Sequence, residues 1–251
     1  MKNNSILTVS FVAPRFAALV AVAALLMPAA PSLAALCGDS VGGSRVACAC
    51  GDVVVSDTTL RPGDPVVSSR CEADGLLIRA GRGDESITLD MAGLSIVGTG
   101  SGVGIRVIDG GSLGAVIRGG YGQVVGFVTG IRASGRQSLQ LAENVEVTGN
   151  RRDGLALRGT SARLVGVIAT GNGRHGMWVR SIGGGVIDSN ASDNLGSGLR
   201  LSGRGGNIEA RLSGNGSHGV LATGRDHDLS GVEAVGNASR DTDLRSGRAG
   251  Q

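Results

Sequence analysis

The sequence contains almost no lysine, few aromatic residues and little proline. Lys2 is the only lysine, and 251 residues include one Trp, one Tyr and three Phe. Only 5 prolines accompany 45 glycines. So much glycine without proline excludes a collagen-like chain and disfavours a helical bundle. Abundant Val, Ile and Leu exclude a disordered chain, so the composition predicts an all-β protein with frequent turns.

Long hydrophobic runs are also missing, apart from one near the N-terminus. The run "FAALVAVAALLM" spans residues 16–27, which is shorter than the roughly 20 residues that cross a bilayer. Lys2 and Arg15 precede it, and "PAAPSLAA" follows with small residues at the −3 and −1 positions of a cleavage site. This order is typical of a secretory signal. We predict a cleaved signal peptide over residues 1–35, a secreted or periplasmic location, and no membrane span in the mature protein.

An excess of positive charge is lacking once this segment is removed. Lys2 and Arg15 leave with it, so 22 arginines remain against 21 Asp and Glu. The net charge of +3 for the whole chain is therefore no sign of nucleic-acid binding, and we predict no nucleic-acid partner. The remaining residues, about 216, suffice for one domain with a continuous core.

All four cysteines lie near the start of the predicted mature chain. They are Cys37, Cys48, Cys50 and Cys71. In an exported protein an even number predicts two disulfides. A bond between Cys48 and Cys50 would be strained, so each is expected to reach Cys37 or Cys71, and the pairing stays open. Four thiols could instead hold zinc, but export and the lack of a C-x-x-C pair favour a disulfide-stapled cap without metal or cofactor.

Asparagine recurs at intervals of 21 or 22 residues in the second half of the chain. The recurring residues are Asn150, Asn172, Asn194, Asn215 and Asn237. A glycine follows four residues later in the first four copies and opens an alternating apolar strand, as in "GLAL" and "GMWV". A period of about 22 residues predicts a solenoid. We expect Gly and Asn to favour the turns because both tolerate positive φ. Stacked asparagine amides would then bond to one another as scaffold.

Two other kinds of solenoid are excluded by mismatches. Leucine-rich repeats need an apolar residue two positions after the asparagine, where this chain has Arg, Gly or Ser, and the calcium-binding β-roll needs "GGxGxD" runs. The sequence therefore predicts an all-β, single-stranded, right-handed parallel β-helix of about 7–8 coils. We place its N-terminal cap at 36–74, the helix at 75–240 and a polar tail at 241–251.

The repeats "TGNGRHGMWV" and "SDNLGSGLRL" resemble the parallel β-helix repeats of the pectin-lyase-like superfamily. They are most similar to exported members such as the NosD-type periplasmic copper-site accessory proteins, and the likeness covers about 48–237. The resemblance implies a right-handed β-helix, but the superfamily includes lyases, hydrolases, esterases, epimerases and non-enzymes. The signatures "DPHD", "NTD…DD…GHG" and "RxPxxR" are absent, which favours a protein without catalytic activity.

Outward residues of successive coils predict a binding surface, because equivalent positions lie about 4.8 Å apart. If Leu155 and Leu157 point inward, the alternate positions point outward. The predicted binding residues are Arg106, Arg132, Arg158, Trp178, Arg180 and Arg200. Guanidinium groups pair with carboxylates, and an exposed indole can stack on a sugar ring. We therefore predict a non-catalytic scaffold whose partner is an extended acidic polysaccharide or another component of the cell envelope, with an ordinary solvated arginine surface as the alternative.

A second ladder precedes the glycine of each repeat. It consists of Asp153, His175, Ser197 and His218. Asp, His and Ser are the components of an acyl-transfer triad, but no "GxSxG" motif surrounds Ser197. Two histidines with Asp153 could also bind copper or zinc, but two coils, about 10 Å, separate the histidines. We interpret this ladder as stacked turn residues.

A third group lies six residues before the asparagines and consists of Asn144, Asp188 and Glu209. Asp188 and Glu209 on adjacent coils could act as an acid/base pair or bind calcium. The simpler interpretation is a surface pair neutralised by Arg211. Two alternative functions follow: a polysaccharide lyase, hydrolase or epimerase that uses Asp188 and Glu209, and a metal-accessory protein of NosD type.

Overall fold

The computed structural model describes residues 36–41, 44–79, 86–108, 114–135, 138–159 and 161–246. These residues belong to one compact unit, Leu33–Gln251. The predicted signal peptide, 1–35, lies outside the described residues, as does 247–251 of the predicted tail. Within the described residues, no helix has the length and hydropathy required to cross a membrane.

The described residues form short strands and one helical turn. In chain order these are β1 Leu36–Cys37, β2 Ser40–Val41, β3 Ser44–Arg45, β4 Asp52–Val54, β5 Thr58–Thr59, α1 Pro65–Ser68, β6 Arg70–Cys71, β7 Leu76–Arg79, β8 Ile87–Asp90, β9 Ile96–Gly98, β10 Val103–Ile108, β11 Ala115–Arg118, β12 Gln123–Val125, β13 Thr129–Ser134, β14 Leu139–Glu143, β15 Glu146–Thr148, β16 Leu155–Arg158, β17 Arg163–Val165, β18 Ile168–Thr170, β19 Met177–Ile182, β20 Gly185–Ser192, β21 Leu199–Ser213, β22 Val220–Val235 and β23 Thr242–Ser246.

The strands stack in three parallel ladders, which we call faces A, B and C. Face A contains β1, β4, β7, β10, β13, β16, β19, the first parts of β21 and β22, and β23. Face B contains β5, β8, β11, β14, β17, the first part of β20 and the middle parts of β21 and β22. Face C contains β6, β9, β12, β15, β18 and the ends of β20, β21 and β22.

One pass over faces A, B and C is one turn of the solenoid, and about eight turns follow one another. Neighbouring turns pair in parallel, so residues 22 apart in the sequence become neighbours along the axis. This confirms the predicted all-β parallel β-helix. Part of the predicted polar tail belongs to it, since β23 pairs in parallel with the start of β22 on face A.

The core consists of the inward residue of each strand. Leu155 and Leu157 are at most 1% exposed, and Met177 and Val179 occupy the same positions one turn later. Phe127 is the only aromatic side chain among the largest fully buried ones. Burial of each such side chain contributes about 1.5–3 kcal/mol, and no repeat could bury its apolar side alone.

The asparagine ladder is scaffold, as predicted. The Nδ2 of Asn150 donates to the Oδ1 of Asn172 at 3.1 Å, and the same bond continues through each later member at 2.8–3.0 Å. Each Oδ1 also accepts the backbone N–H of the preceding asparagine. Phe127 N–H closes one end and Asp241 Oδ1 closes the other. Buried polar groups cost little when they are bonded in this way.

The glycines four residues after these asparagines are required by space. A Cβ on Gly154 would lie 2.7 Å from the Nδ2 of Asn172 and 2.7 Å from the carbonyl oxygen of Gly176. The next repeats have the same arrangement, with Gly176 facing the amide of Asn194 at 2.7 Å. The asparagine of one turn therefore excludes a side chain from the glycine of the turn before.

The expectation that the asparagines themselves adopt positive φ is wrong. Among the described residues, the left-handed position is the one before each asparagine: Gly149, Gly171, Asp193, Gly214 and Gly236, with φ between 56° and 67°. Gly, and less often Asp, tolerates this conformation. The asparagine is instead selected because its amide can donate and accept at once.

The single 21-residue interval comes from one residue missing at the corner between faces B and C. Counted from the turn that begins with β4, the sixth turn begins with β19, the seventh with β21 and the eighth with β22. Val186 pairs with Ile208 and Ser189 with Ala210, so two residues of the sixth turn face Glu209 alone. The pairing with the eighth turn recovers the residue, because Asn207 pairs with Asp228 and Glu209 with Gly231. The seventh turn is therefore shorter at this corner only.

Two disulfides staple the N-terminal end, as predicted. They join Cys37 to Cys48 and Cys50 to Cys71, the pairing that the sequence left open, and disulfides of this kind contribute about 2–4 kcal/mol each. They fit an extracellular or periplasmic protein. Asp64 is buried beside them, and the Arg45 guanidinium donates to both of its oxygens at 2.8 and 2.9 Å. Burial opposes ionisation, but the Arg45 guanidinium together with the backbone N–H groups of Arg61 and Cys48 outweighs it and lowers the pKa of Asp64.

Candidate functional site

The predicted binding residues lie together on the outward side of face A. One outward row contains Arg106, Arg132, Ala156, Trp178 and Arg200 in successive pairing register. The neighbouring row, two residues along each strand, contains Ser134, Arg158, Arg180, Ser202 and Thr223. We call these two rows the Arg/Trp flank. Alternation along the strands and the parallel register of successive turns bring residues more than a hundred positions apart onto one surface, although the turns differ in length.

The arginines of the flank differ in their partners. Arg106 binds Asp74, with 2.9 Å from Nε to Oδ2 and 3.0 Å from Nη2 to Oδ1. Its charge is therefore neutralised within the protein. No carboxylate in the described part of the chain is recorded within 4.0 Å of the other four, which are Arg132, Arg158, Arg180 and Arg200.

Trp178 is half-buried beneath guanidinium groups. The Cζ of Arg158 lies 4.8 Å from the centroid of its ring, and the Cζ of Arg174 lies 5.6 Å away. Both distances fall within cation–π range. Arg174 also approaches Asp153, with 3.7 Å between Nη1 and Oδ2. The indole thus already contacts cations of the protein, in contrast to the open sugar platform expected from the sequence.

A shallow groove lies at the end of the flank that is nearer the C-terminus. It encloses about 450 Å³ and is lined by Trp178, Arg180, Arg200, Ser202, Gly203, Thr223 and Gly224. The two glycines are register partners on adjacent turns. Their φ angles of 129° and 123° are those of glycine. We call these two glycines the floor of the groove, because they add no side chain to its lining; the side chains of the lining come from Trp178, the two arginines, Ser202 and Thr223.

A second hollow lies at the corner between faces B and C, on the far side of each turn from face A. It encloses about 500 Å³ and is lined by Asp188, Ser189, Asn190, Glu209, Ala210, Arg211, Gly231 and Glu233. It coincides with the corner at which the seventh turn is one residue short. Asp188 adopts a φ of 48° there. The structure therefore brings both candidate catalytic carboxylates, Asp188 and Glu209, to one concavity.

The contacts in this hollow differ from those expected. Arg211 pairs with Glu233 of the next turn, with 3.0 Å from Nε to Oε2, rather than with Asp188 or Glu209. Glu209 accepts a long bond from the amide of Asn207 at 3.4 Å. The buried Oδ1 of Asn190 has no hydrogen-bond partner among the residues that the structure describes. Asn144, the third residue of the predicted group, lies two turns from Asp188 at the same corner, with Gly166 in between.

The turn ladder is bonded as scaffold. Asp153 Oδ1 accepts the N–H of His175 at 3.3 Å, and His175 Nδ1 accepts the N–H of Ser197 at 3.1 Å. Ser197 is 1% exposed, and its contact with His175 uses the backbone N–H rather than the hydroxyl. Burial lowers the pKa of His175 to about 4. The imidazole is therefore neutral, with its proton on Nε2 because Nδ1 accepts a bond.

The last histidine of this ladder has different partners. His218 Nε2 lies 3.4 Å from Asp243 Oδ2, and its Nδ1 lies 2.8 Å from the hydroxyl of Ser217. Across the described residues, no three His, Cys, Asp or Glu side chains are grouped so that they could hold a metal ion. The ladder caps neighbouring turns and provides neither a triad nor a metal centre within that part of the chain.

Some contributors to the flank were missed in the sequence. Arg174 belongs to a turn rather than a strand, and its only signal is its place two residues after Asn172. The glycine floor had a clearer signal, because "LSG" at 201–203 and "ATG" at 222–224 recur in register. The pairing of Arg106 with Asp74 had none, since Asp74 lies 32 residues earlier in a loop.

Comparison with known proteins adds no relationship. No family model matches the chain, and neither a curated protein nor a solved structure matches it. Of the resemblance stated above, the parallel β-solenoid is confirmed by the structure. The pectin-lyase-like and NosD-like relationships stay predictions.

Proposed function

We propose that this protein is an exported, non-catalytic β-helix that binds an extended polyanion, of the acidic polysaccharide class, along the Arg/Trp flank. The observation that carries the proposal is the set of four arginines on neighbouring turns without a recorded carboxylate partner in the described chain. A rigid solenoid presents these charges at the spacing of its turns, about 4.8 Å. A polymer with regularly repeated anionic groups can contact several of them at once.

The local charge supports this assignment. The predicted mature chain is close to neutral, with 22 arginines against 21 Asp and Glu, yet four arginines of the flank have no carboxylate within 4.0 Å in the described part of the chain. Arg158 and Arg180 face each other directly on adjacent strands. Like charges in this position destabilise a sheet by about 0.2–1 kcal/mol. A surface that retains such a cost is consistent with a binding role.

The test is retention on an immobilised polyuronate. We expect the mature protein to bind at low salt and to elute as salt is raised, because exposed ion pairs are screened. A Trp178→Ala, Arg180→Ala double variant should lose retention. Arg163→Ala is the matched control, because Arg163 is exposed but lies on face B. Equal retention of wild type and double variant would refute the proposal.

The hollow at the corner of faces B and C supports one alternative function. Asp188 and Glu209 line the same concavity of about 500 Å³, so a lyase, hydrolase or epimerase acting through this pair is the second candidate. A panel of polysaccharides, with and without calcium, tests it by the release of reducing ends or the absorbance of new double bonds. Activity that disappears in Asp188→Asn would replace the binding proposal.

A further inference from the structure

We infer that the groove on the Arg/Trp flank recognises a tetrahedral oxyanion, a sulfate or phosphate ester carried by the polymer, rather than a carboxylate or a sugar ring. The inference rests on the proposed function, since it names the chemical group bound at the same surface. It depends on three properties of the groove: the kind of hydrogen-bonding groups in its lining, their number, and the bare floor between them.

The lining offers side-chain donors and no carboxylate, amide or imidazole acceptor. Arg180 and Arg200 both line the groove. Each guanidinium group carries five N–H donors and no acceptor. The indole of Trp178 is a donor only. Ser202 adds a hydroxyl, while the hydroxyl of Thr223 donates to the Leu201 carbonyl at 3.3 Å. A sugar ring exposes hydroxyl groups that need acceptors as well as donors. This lining therefore fits an anion better than a pyranose face.

The number of donors favours an oxyanion with more than two oxygens. A carboxylate has two oxygens in one plane, with about four lone-pair sites. The lining combines two guanidinium groups on different turns with the side chains of one tryptophan and one serine, and together these carry more N–H and O–H donors than two coplanar oxygens can accept. A sulfate or phosphate ester presents three terminal oxygens out of one plane, and these are strong acceptors. It can satisfy donors from both turns at the same time.

The floor leaves room for such a group. Gly203 and Gly224 are stacked, and a Cβ on Gly224 would overlap the carbonyl oxygen of Gly203. A side chain is thus excluded at Gly224, and the lining beside Arg180 and Arg200 carries none at either glycine. Arg158 adds a third charge beside it, because its guanidinium is held over Trp178 at 4.8 Å.

Trp178 also makes the site observable. It is the only tryptophan in the chain, and it lines the groove. Its fluorescence therefore reports directly on occupancy, without a label.

Four polymers with one backbone separate the possible ligands: dextran sulfate, dextran phosphate, carboxymethyl dextran and unmodified dextran, the charged ones matched in substitution. We expect dextran sulfate, dextran phosphate or both to shift Trp178 fluorescence at concentrations about tenfold or more below carboxymethyl dextran, a difference of about 1.4 kcal/mol. Unmodified dextran should give no shift. The sulfate and phosphate arms identify which ester is preferred.

Arg200→Gln tests whether the groove decides this preference. The variant should lose about tenfold in affinity for the preferred ester and less for carboxymethyl dextran, so that the ratio between the two falls toward one. Arg163→Gln on face B is the control for charge alone and should leave the ratio unchanged. An equal loss for every charged polymer would overturn the inference.

The two proposals fail in different ways. If carboxymethyl dextran binds as tightly as the esters, the inference on the oxyanion is wrong and polyanion binding stands. If no charged polymer binds, both proposals fall. A shift caused equally by unmodified dextran would indicate recognition of the sugar ring and would overturn the inference.

Discussion

At the scale of single residues, His175 shows how a side chain that suggests chemistry serves as a buried acceptor. It is 8% exposed, and its Nδ1 accepts the N–H of Ser197 across a turn. Burial lowers its pKa from 6.5 to about 4, and the nearby cations Arg174 and Arg200 act in the same direction while Asp153 opposes them. A neutral imidazole is therefore part of the folded state.

This has a consequence for stability against pH. Because the folded-state pKa is below the unfolded value, the unfolded chain binds a proton between pH 6.5 and about 4 while the folded chain does not. Above pH 6.5 His175 is neutral in both states and does not reduce stability. As pH falls from 6.5 to about 4, protonation of the unfolded chain lowers the free energy of unfolding by up to about 3 kcal/mol. Urea unfolding of wild type and His175→Asn measures it. The difference between them should change with pH in this window, and parallel curves would contradict the assignment.

At the scale of the turn, two glycines five residues apart have different reasons to be glycine. Gly171 has a φ of 62° and open space around its Cβ position. Gly176 has no positive φ, but a Cβ there would meet Asn194 Nδ2 at 2.7 Å and Gly198 O at 2.8 Å. One glycine is required by backbone conformation and the other by the neighbouring turn.

The two substitutions should therefore differ in size. Gly171→Ala strains a left-handed residue and is expected to cost about 1–2 kcal/mol. Gly176→Ala forces the backbone of the next turn away and disturbs the asparagine ladder, so we expect a cost of roughly 3 kcal/mol or more. Thermal unfolding compares them, and a smaller loss for Gly176→Ala would show that the turns can separate easily.

Much of the arrangement of the turns was predictable from the sequence. The interval between asparagines predicted the stacking, and alternation placed Trp178 opposite Arg200 in the next turn. The stacking of Arg158 on Trp178 could not be predicted, because these side chains lie diagonally across two adjacent strands. The corner of the seventh turn was also missed, since an interval of 21 residues does not show where the residue is lost. Side-chain contacts depend on packing that a repeat period does not contain.

At the scale of the whole molecule, the arginines differ in whether a carboxylate of the fold neutralises them. The N-terminal end uses Arg45 to neutralise Asp64 within the fold, and Arg106 is neutralised by Asp74. The rest of the Arg/Trp flank has no such partners recorded in the described chain. Stability and binding are then in competition on this surface.

The competition predicts an opposite effect of one substitution on two measurements. Arg180→Thr removes the like-charge pair with Arg158 and places a β-branched residue on an outward strand position. We expect the free energy of unfolding to rise by about 0.2–1 kcal/mol while affinity for the polyanion falls. Arg163→Thr on face B provides the comparison. A loss of stability in Arg180→Thr would show that this arginine is a structural residue.

The seventh turn has one residue fewer than the turns on either side of it, yet it stacks on both of them. Pairing is kept on both sides of Glu209 although the neighbouring turns have one residue more there. Face A, and with it the row of arginines, is unaffected by the difference. The corner between faces B and C thus absorbs a one-residue change in length without loss of pairing on either face, and variants that carry grafted loops should be built there first.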